Sequence, residues 1–153
     1  MARPITLTKQ LAAASANNIA QSQTPVSGTA LTLNGAAVAS GVATLDTPRR
    51  VLLTYGNEGS ARTMTIYGTG DGGVAISEVL AVPSGGGGTV ATLQDFLTVT
   101  RALPAGGGYT AAVTLGTNGV GATRWVRLNN QITAFEVGLA IELMPKCSQP
   151  AVW

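Results

Sequence analysis

The sequence predicts an all-β protein: an antiparallel β-sandwich, jelly-roll-like in its number of strands, with an extended or partly helical N-terminal arm. Three observations lead to this prediction. Apolar and polar residues alternate with period two from residue 29 onward. Clusters of Gly, Pro and Asn interrupt the alternation at intervals near the roughly 8–12 residues typical of sandwiches and barrels. No helical pattern separates consecutive strands, which disfavours a parallel sheet.

The chain of 153 residues has the length of one domain with a sizeable core. We predict that residues 29–145 form the β-sandwich, with an arm over residues 1–28 before it and a tail over residues 146–153 after it. The arm is rich in Ala, Gln, Asn and Ser. The spacing of its apolar residues favours a short helix over Thr8–Ile19, and Pro25 then breaks regular structure.

The first predicted strands form a hairpin. Ala30–Leu33 and Gly41–Leu45 flank Asn34-Gly35, and Asn-Gly is a strong hairpin signal because both turn positions favour positive φ. Pro48 is expected to end the second strand, because proline lacks the N–H that a strand ladder uses.

Alternating apolar segments predict the remaining strands, and the turns between them contain Gly or Pro. Gly68–Gly73 has the letters of the dinucleotide-binding motif G-x-G-x-x-G, but it opens a strand rather than the helix that this motif requires. We therefore predict a hairpin turn there. The predicted strands are Arg50–Tyr55, Thr63–Tyr67, Val74–Val82, Val90–Leu93, Phe96–Leu103, Tyr109–Leu115, Arg124–Leu128 and Val137–Leu143.

Composition excludes several kinds of chemistry. The chain has no His and one Cys, Cys147, which removes His bases and ligands, multi-cysteine zinc sites and an internal disulfide. Its seven Asp and Glu residues are scattered, and the aromatic residues that would line a glycosidase cleft are few. We predict a protein that is not an enzyme and that binds no cofactor or metal.

Charge and hydropathy limit the partners. The net charge is +2 and the longest run of like charges is Arg49-Arg50, whereas nucleic-acid binding usually shows a dense basic patch. No apolar stretch reaches the roughly 18 residues of a membrane span. We predict no direct contact with nucleic acid and none with a membrane.

Trp and Arg are the candidates for partner binding, because both are enriched among binding hot spots. On the predicted strand Arg124–Leu128, Trp125 and Arg127 point to one side, and a core Trp covered by an Arg stem is the alternative. For the Arg pair after Pro48, a solvated strand entrance is the alternative. The candidate partner-binding residues are Arg49, Arg50, Arg124, Trp125, Arg127 and the chain-terminal Trp153.

Short motifs in a fixed order resemble those of a family of small virion proteins from tailed bacteriophages. Residues 62–69 resemble the family's T-x-T-I-x-G-T strand, which leads through a Gly turn to an S-E pair, here Ser77-Glu78. Later segments resemble its F-x-T-V, W-V-x-L and F-x-V-G stretches, and the resemblance covers residues 48–143. These segments are Phe96–Val99, Trp125–Leu128 and Phe135–Ala140.

The resemblance implies a capsid decoration, or cement, protein, which binds the outside of an icosahedral shell and resists the pressure of the packaged DNA. We therefore expect a structural protein on the capsid exterior of a virion, made in the cytoplasm of the host bacterium. Its expected partners are the major capsid protein of the same virion and further copies of itself, as a homodimer or homotrimer. Repeated attachment would amplify a modest affinity per site.

Two alternatives remain open. One is a glycan- or receptor-binding β-sandwich of a phage fibre, which would need an exposed aromatic platform supplied by Trp125, Tyr55, Tyr67 or Tyr109. The other is a structural component of the neck or tail, which would assemble into rings.

Overall fold

The computed structural model describes residues 12–118. Over this range the chain consists mainly of β-strands, with a 3-10 turn at Asp71–Gly73. The predicted strands Arg124–Leu128 and Val137–Leu143 lie outside the described residues. The strands are β1 (Ser15–Gln23), β2 (Val38–Ala39), β3 (Val42–Arg49), β4 (Val51–Tyr55), β5 (Arg62–Thr69), β6 (Ala75–Val82), β7 (Gly88–Ala91), β8 (Phe96–Ala105) and β9 (Val113–Thr117).

The strands form two antiparallel sheets. The four-stranded sheet has the order β1-β9-β4-β7, and the five-stranded sheet has the order β2-β3-β8-β5-β6. Every strand pairing is antiparallel. The prediction of an all-β, antiparallel protein is therefore confirmed for residues 12–118.

The strand pairs are nested around one central hairpin. β5 pairs with β6, β4 with β7, β3 with β8, and β1 with β9. Further pairings of β4 with β9 and of β5 with β8 join these pairs into the two sheets. Apart from the β2–β3 and β5–β6 hairpins, each connection between consecutive strands passes from one sheet to the other.

Period-two alternation turns one face of each sheet into a shared core. Val51 and Leu53 of the four-stranded sheet are fully buried, as are Met64, Ile66 and Phe96 of the five-stranded sheet. All of them belong to one hydrophobic cluster. Burying an apolar side chain of this size contributes roughly 1.5–3 kcal/mol, so this cluster is the main source of stability.

The predicted helix over Thr8–Ile19 is wrong in the part that the structure describes. Ser15–Gln23 is strand β1, which pairs with β9 and buries Ile19 and Ala20. Two register shifts interrupt this pairing, so neighbouring residues face the core and the period-two pattern is lost from the sequence. This part of the predicted arm is a strand of the four-stranded sheet.

The predicted hairpin at Asn34-Gly35 is also wrong. The turn lies at Ser40-Gly41, between β2 and β3, where the two residues have φ values of 50° and 78°. β3 also continues past Pro48, which was expected to end it. The pairing of β3 with β8 shifts register between Thr44 and Arg49, and this irregularity accommodates the missing N–H of the proline.

Asn34 and Gly35 instead cover the edge of β1. The Asn34 Oδ1 atom accepts a hydrogen bond from the N–H of Gln21, and the N–H of Gly35 donates to the C=O of Ile19 at 3.1 Å. Gly35 lies so close to β1 that an added Cβ would collide with the main chain of Asn18. The glycine is needed here for close approach, not for a turn.

Candidate partner-binding surface

The side of the five-stranded sheet that faces away from the core is the broadest candidate surface. Alternation turns Met64, Ile66 and Leu80 inward and the residues between them outward. We call the part of this side that lies on β5, β6 and β8 the outer face; on β3, the same side of the sheet also bears Asp46. The outer face is formed by Thr63, Thr65, Tyr67, Thr69, Ala75, Ser77, Val79, Ala81, Thr98, Thr100, Arg101, Leu103 and Ala105. Arg101 is the single charged residue of this set.

A β-bulge shapes the middle of the outer face. Tyr67 pairs with Arg101, but the next residue, Gly68, pairs with Val99, so Thr100 is an extra residue in β8. An added Cβ on Gly68 would collide with the backbone of β8. As a result of the bulge, Thr100 and Arg101 are both exposed, which regular alternation would not allow.

The side chain of Arg101 lies over the ring of Tyr67. The guanidinium carbon is 4.5 Å from the ring centroid, which is a cation–π contact worth about 0.5–1 kcal/mol at an exposed site. Neither of the ion pairs found within residues 12–118 includes Arg101. Within that range its N–H groups make no ion pair, and they could donate to carbonyl or carboxylate groups of a partner.

The Tyr67–Arg101 pair was missed among the predicted partner-binding residues. Two features of the sequence could have indicated it. Gly68 interrupts a Thr-rich alternating strand, and a glycine inside a strand often marks a bulge. Thr100-Arg101 places two polar residues in succession within β8, where alternation predicts one.

The structure places the guanidinium of Arg49 inside the protein. Arg49 is 2% exposed, and its Nη2 atom donates to Oδ2 of Asp46 at 2.8 Å. Its Nε atom lies 2.7 Å from Oδ1, in an orientation that does not satisfy hydrogen-bond geometry. Its Nη1 atom donates to the C=O of Ala12 at 2.7 Å, and the N–H of Ala12 donates to Asp46 at 3.0 Å. The pair therefore clamps the main chain of Ala12, and a solvated strand entrance is wrong for Arg49.

The surroundings of Asp46 favour its ionised form. Partial burial acts to raise the pKa of the Asp46 carboxyl, but the hydrogen bond from Ala12 and the guanidinium of Arg49 outweigh it and hold the pKa below its ordinary value.

A cavity of about 200 Å³ lies beside Asp46 and Arg49 and is also lined by Asn18 and Thr117. The Asn18 Nδ2 atom donates to Thr117 at 3.3 Å. Polar groups of Asn18, Asp46, Arg49 and Thr117 line part of this cavity, so it has room and hydrogen-bond partners for ordered water.

The other predicted partner-binding residues are dispersed. Arg50 is half-buried between β3 and β4, where its C=O accepts a hydrogen bond from the N–H of Asn118 at 3.4 Å. It does not belong to the outer face. The remaining candidates, like Cys147, lie outside the described residues. They are Arg124, Trp125, Arg127 and Trp153.

A glycan-binding protein would need an exposed aromatic platform, and within residues 12–118 only one of the predicted tyrosines, Tyr67, is accessible. Tyr55 and Tyr109 are 8% and 5% exposed, so neither offers a ring face to a sugar. Tyr67 is partly exposed, but Arg101 already covers its ring. Trp125 lies outside the described residues.

A buried carboxylate joins two loops at one end of the sheets. Glu58, which is 0% exposed, accepts hydrogen bonds from the N–H groups of Thr110 and Ala111. Burial, together with the negative charge of Glu58 and against the opposing effect of Arg62, raises the pKa of Tyr109 to about 12. The Tyr109 hydroxyl donates to the C=O of Thr63 at 3.1 Å. These contacts hold the two loops together.

Within residues 12–118, no group of three or more His, Cys, Asp and Glu residues is arranged to hold a metal ion. No helix in that range is long and apolar enough to cross a membrane.

Comparisons with protein-family models, with curated proteins and with solved structures each found no match to this chain. The function is therefore inferred from the outer face and from the arrangement of the strands.

Proposed function

We propose that this protein is a structural virion protein that binds the outer surface of a phage capsid and stabilises the shell, as a decoration or cement protein does. The outer face is the observation that supports this proposal most directly. It carries one charge, on Arg101, and is otherwise formed by small, hydroxyl or apolar side chains. The centre of a protein–protein interface is typically depleted of charged residues.

We further infer that the two sheets face each other as a β-sandwich with jelly-roll connectivity. Their buried side chains share one hydrophobic cluster. The nested pairs β5–β6, β4–β7, β3–β8 and β1–β9 are expected when a ribbon of four strand pairs folds over on itself, with β2 as an addition. Jelly rolls occur in viral capsid proteins and in lectins, which fits a virion protein.

The outer face has properties that suit repeated attachment to a shell. The backbone of a sheet is already ordered, so binding through this face costs little backbone conformational freedom. Arg101 supplies hydrogen-bond donors that can orient the contact, and Thr63 and Thr65 supply hydroxyl groups that both donate and accept. Many identical sites on one shell, bound by an oligomer, would convert a modest affinity per site into stable coverage.

The test uses shells that lack the protein. The wild-type protein should co-sediment with them and raise their rupture temperature. Thr65→Asp should abolish both effects, because it places a charge between Val79 and Leu103 at the centre of the outer face. Thr54→Asp is the matched control, since Thr54 is a half-buried strand threonine of the four-stranded sheet. Failure of the wild-type protein to bind, or unchanged binding by Thr65→Asp, would refute the proposal.

A glycan-binding module of a phage fibre is the second candidate, because lectins also use the jelly-roll arrangement. Tyr67 and Arg101 would then form the contact with the sugar. A glycan array separates the two functions: specific hits that are lost in Tyr67→Ala would favour the fibre module. Binding to shells with an empty array would favour the decoration protein.

A further inference from the structure

Strand β6 differs from the other three edge strands of the two sheets. Residues 32–37 cover the edge of β1 with hydrogen bonds to its main chain and side chains. β2 has two residues and β7 has four, and short edges are one way in which proteins avoid pairing with other chains. β6 has eight residues, in unbroken register with β5.

Alternate residues of β6 direct their main-chain polar groups away from β5. The C=O of Ser77 accepts a hydrogen bond from Nε2 of Gln94 at 3.1 Å, so Ser77 faces the outer edge. Alternation gives Val79 and Ala81 the same direction. Among residues 12–118, no main-chain hydrogen bond reaches Val79 or Ala81 on this side. We call residues 78–82 the open stretch.

Two features end the open stretch at equal distances from Leu80. On one side, the C=O of Ser77 is already satisfied by Gln94. On the other side, Pro83 has no N–H to donate. Ser77 and Pro83 each lie three residues from Leu80, so the open stretch is symmetric about this residue.

Glu78 holds a neighbouring loop along the same edge. Its carboxylate accepts hydrogen bonds from the N–H groups of Leu93 and Gln94 at 2.7 and 2.8 Å. This fixes the Gln94 amide next to Ser77 and leaves the side chain of Leu93 78% exposed beside β6. Val79, on the open stretch, is 60% exposed. Both residues offer exposed apolar surface to a partner along this edge.

We propose that a second copy of this chain pairs with the open stretch, antiparallel, about a two-fold axis through Leu80. In this register Val79 of one copy lies opposite Ala81 of the other, and the two residues exchange main-chain hydrogen bonds in both directions. The two-fold axis repeats this exchange on its other side. The two five-stranded sheets then form one continuous sheet.

The ends of the open stretch fit a second copy better than an unrelated strand. In this register Ser77 of one copy lies opposite Pro83 of the other. Pro83 has no N–H to donate to the C=O of Ser77, but this C=O already accepts a hydrogen bond from Gln94. No main-chain acceptor is left unpaired there. Glu78 lies opposite Val82, and the two Glu78 residues are roughly 14 Å apart along the strands. This separation exceeds the screening length of about 8 Å at physiological salt.

Ala81→Pro tests the proposal. The N–H of Ala81 points to the open edge, so the substitution removes a donor from the dimer and no hydrogen bond to β5. Sedimentation should show a dimer for the wild-type protein and a monomer for Ala81→Pro at the same concentration. Ala75→Pro is the matched control: Ala75 also points to the edge but lies outside the open stretch, so this variant should stay dimeric. A monomeric or trimeric wild-type protein, or a dimeric Ala81→Pro variant, would overturn the proposal.

A disulfide test covers the case in which Ala81→Pro fails to fold. In a Cys147→Ser background, the Val79→Cys/Ala81→Cys double variant should form a covalent dimer on mild oxidation, because these positions face each other across the two-fold axis. Ala75→Cys/Ser77→Cys should not. No covalent dimer, or an equal yield in the control, would overturn the register. The proposal uses the edge of β6 and stands independently of shell binding, which Thr65→Asp tests.

Discussion

The carboxylate of Glu58 accepts two hydrogen bonds from Thr110, one from its N–H at 3.0 Å and one from its hydroxyl at 3.1 Å. A third comes from the N–H of Ala111 at 3.1 Å, and Arg62 Nε lies 4.0 Å away. Glu58 lies in the loop after β4, whereas Thr110 and Ala111 lie in the loop before β9. A buried carboxylate is tolerated when hydrogen bonds satisfy it, so this contact fixes how the two loops meet.

We expect Glu58→Ala to lower the free energy of unfolding by about 3–5 kcal/mol, because it removes the acceptor of three hydrogen bonds from Thr110 and Ala111 and the negative charge next to Arg62. Urea denaturation at neutral pH measures the change. Glu78→Ala is the control, since Glu78 also accepts from two main-chain N–H groups but is partly exposed, and it should lose about 1 kcal/mol. Equal losses in both variants would contradict the role given to burial.

Tyr109 makes stability sensitive to alkaline pH. Burial, followed by the charge of Glu58, raises its pKa from 10.0 to about 12. The unfolded chain therefore releases this proton first as the pH rises. The stabilising contribution is complete below pH 10 and is lost as the pH rises toward 12, at up to about 1.4 kcal/mol per pH unit.

Tyr109→Phe removes that titration. We expect the variant to be less stable than the wild-type protein at neutral pH by about 1 kcal/mol, because the hydrogen bond to Thr63 is lost. The difference should shrink above pH 10. Urea denaturation across the alkaline range, with the phenolate absorbance followed in parallel, measures both effects. A difference that stays constant with pH would contradict the burial of this hydroxyl.

Regular strands were predictable from the sequence, and irregular ones were not. β4, β5 and β6 alternate strictly because one face of each is buried, and their predicted positions match the structure within a few residues. A hairpin was predicted at Gly68–Gly73 and is confirmed, but β5 extends to Thr69 and the turn covers residues 70–74. β1 was missed because its register shifts place two adjacent residues in the core. The hairpin predicted at Asn34-Gly35 is wrong because this glycine allows close packing against β1 and does not form a turn.

The surface depends on strand register, which local pattern does not supply. Tyr67 and Arg101 are far apart in the sequence and meet only because β5 pairs with β8 across a bulge. Arg49 was chosen as half of a conspicuous basic pair. Its acidic partner, Asp46, lies three residues earlier, and a strand irregularity around Pro48 lets the two side chains meet where strict alternation would separate them.

The Asp46–Arg49 clamp should depend on both charges. We expect Arg49→Gln to lower the free energy of unfolding at neutral pH by about 2–3 kcal/mol, since it removes charged hydrogen bonds to Asp46 and Ala12. Arg50→Gln is the neighbouring control, and a change within about 0.5 kcal/mol is expected for it. A comparable loss in both variants would contradict the assignment of the clamp to Arg49.

Arg49→Gln should also change the pKa of Asp46, which is measured in acid. Because the folded pKa of Asp46 is lowered from 3.8, its contribution is complete above that pH and is lost as the pH falls through the folded value. In Arg49→Gln the Asp46 pKa should move up, toward 3.8 or above it, because burial then meets less opposition. An NMR titration of the carboxyl carbon measures this. An unchanged pKa would show that Arg49 does not stabilise the ionised form.

Gly35→Ala tests whether the Asn34-Gly35 segment packs against β1. The added methyl group would strike the main chain of Asn18 and push the covering segment away from the edge of β1. We expect a loss of about 1–3 kcal/mol in the free energy of unfolding. We also expect faster amide exchange at residue 35, whose N–H donates to the C=O of Ile19 in the wild-type protein. Gly59→Ala is the matched control because an added Cβ there meets nothing within 4 Å. If Gly35 occupied a free hairpin turn instead, the two alanine variants would differ little in amide exchange, and β1 would remain undisturbed.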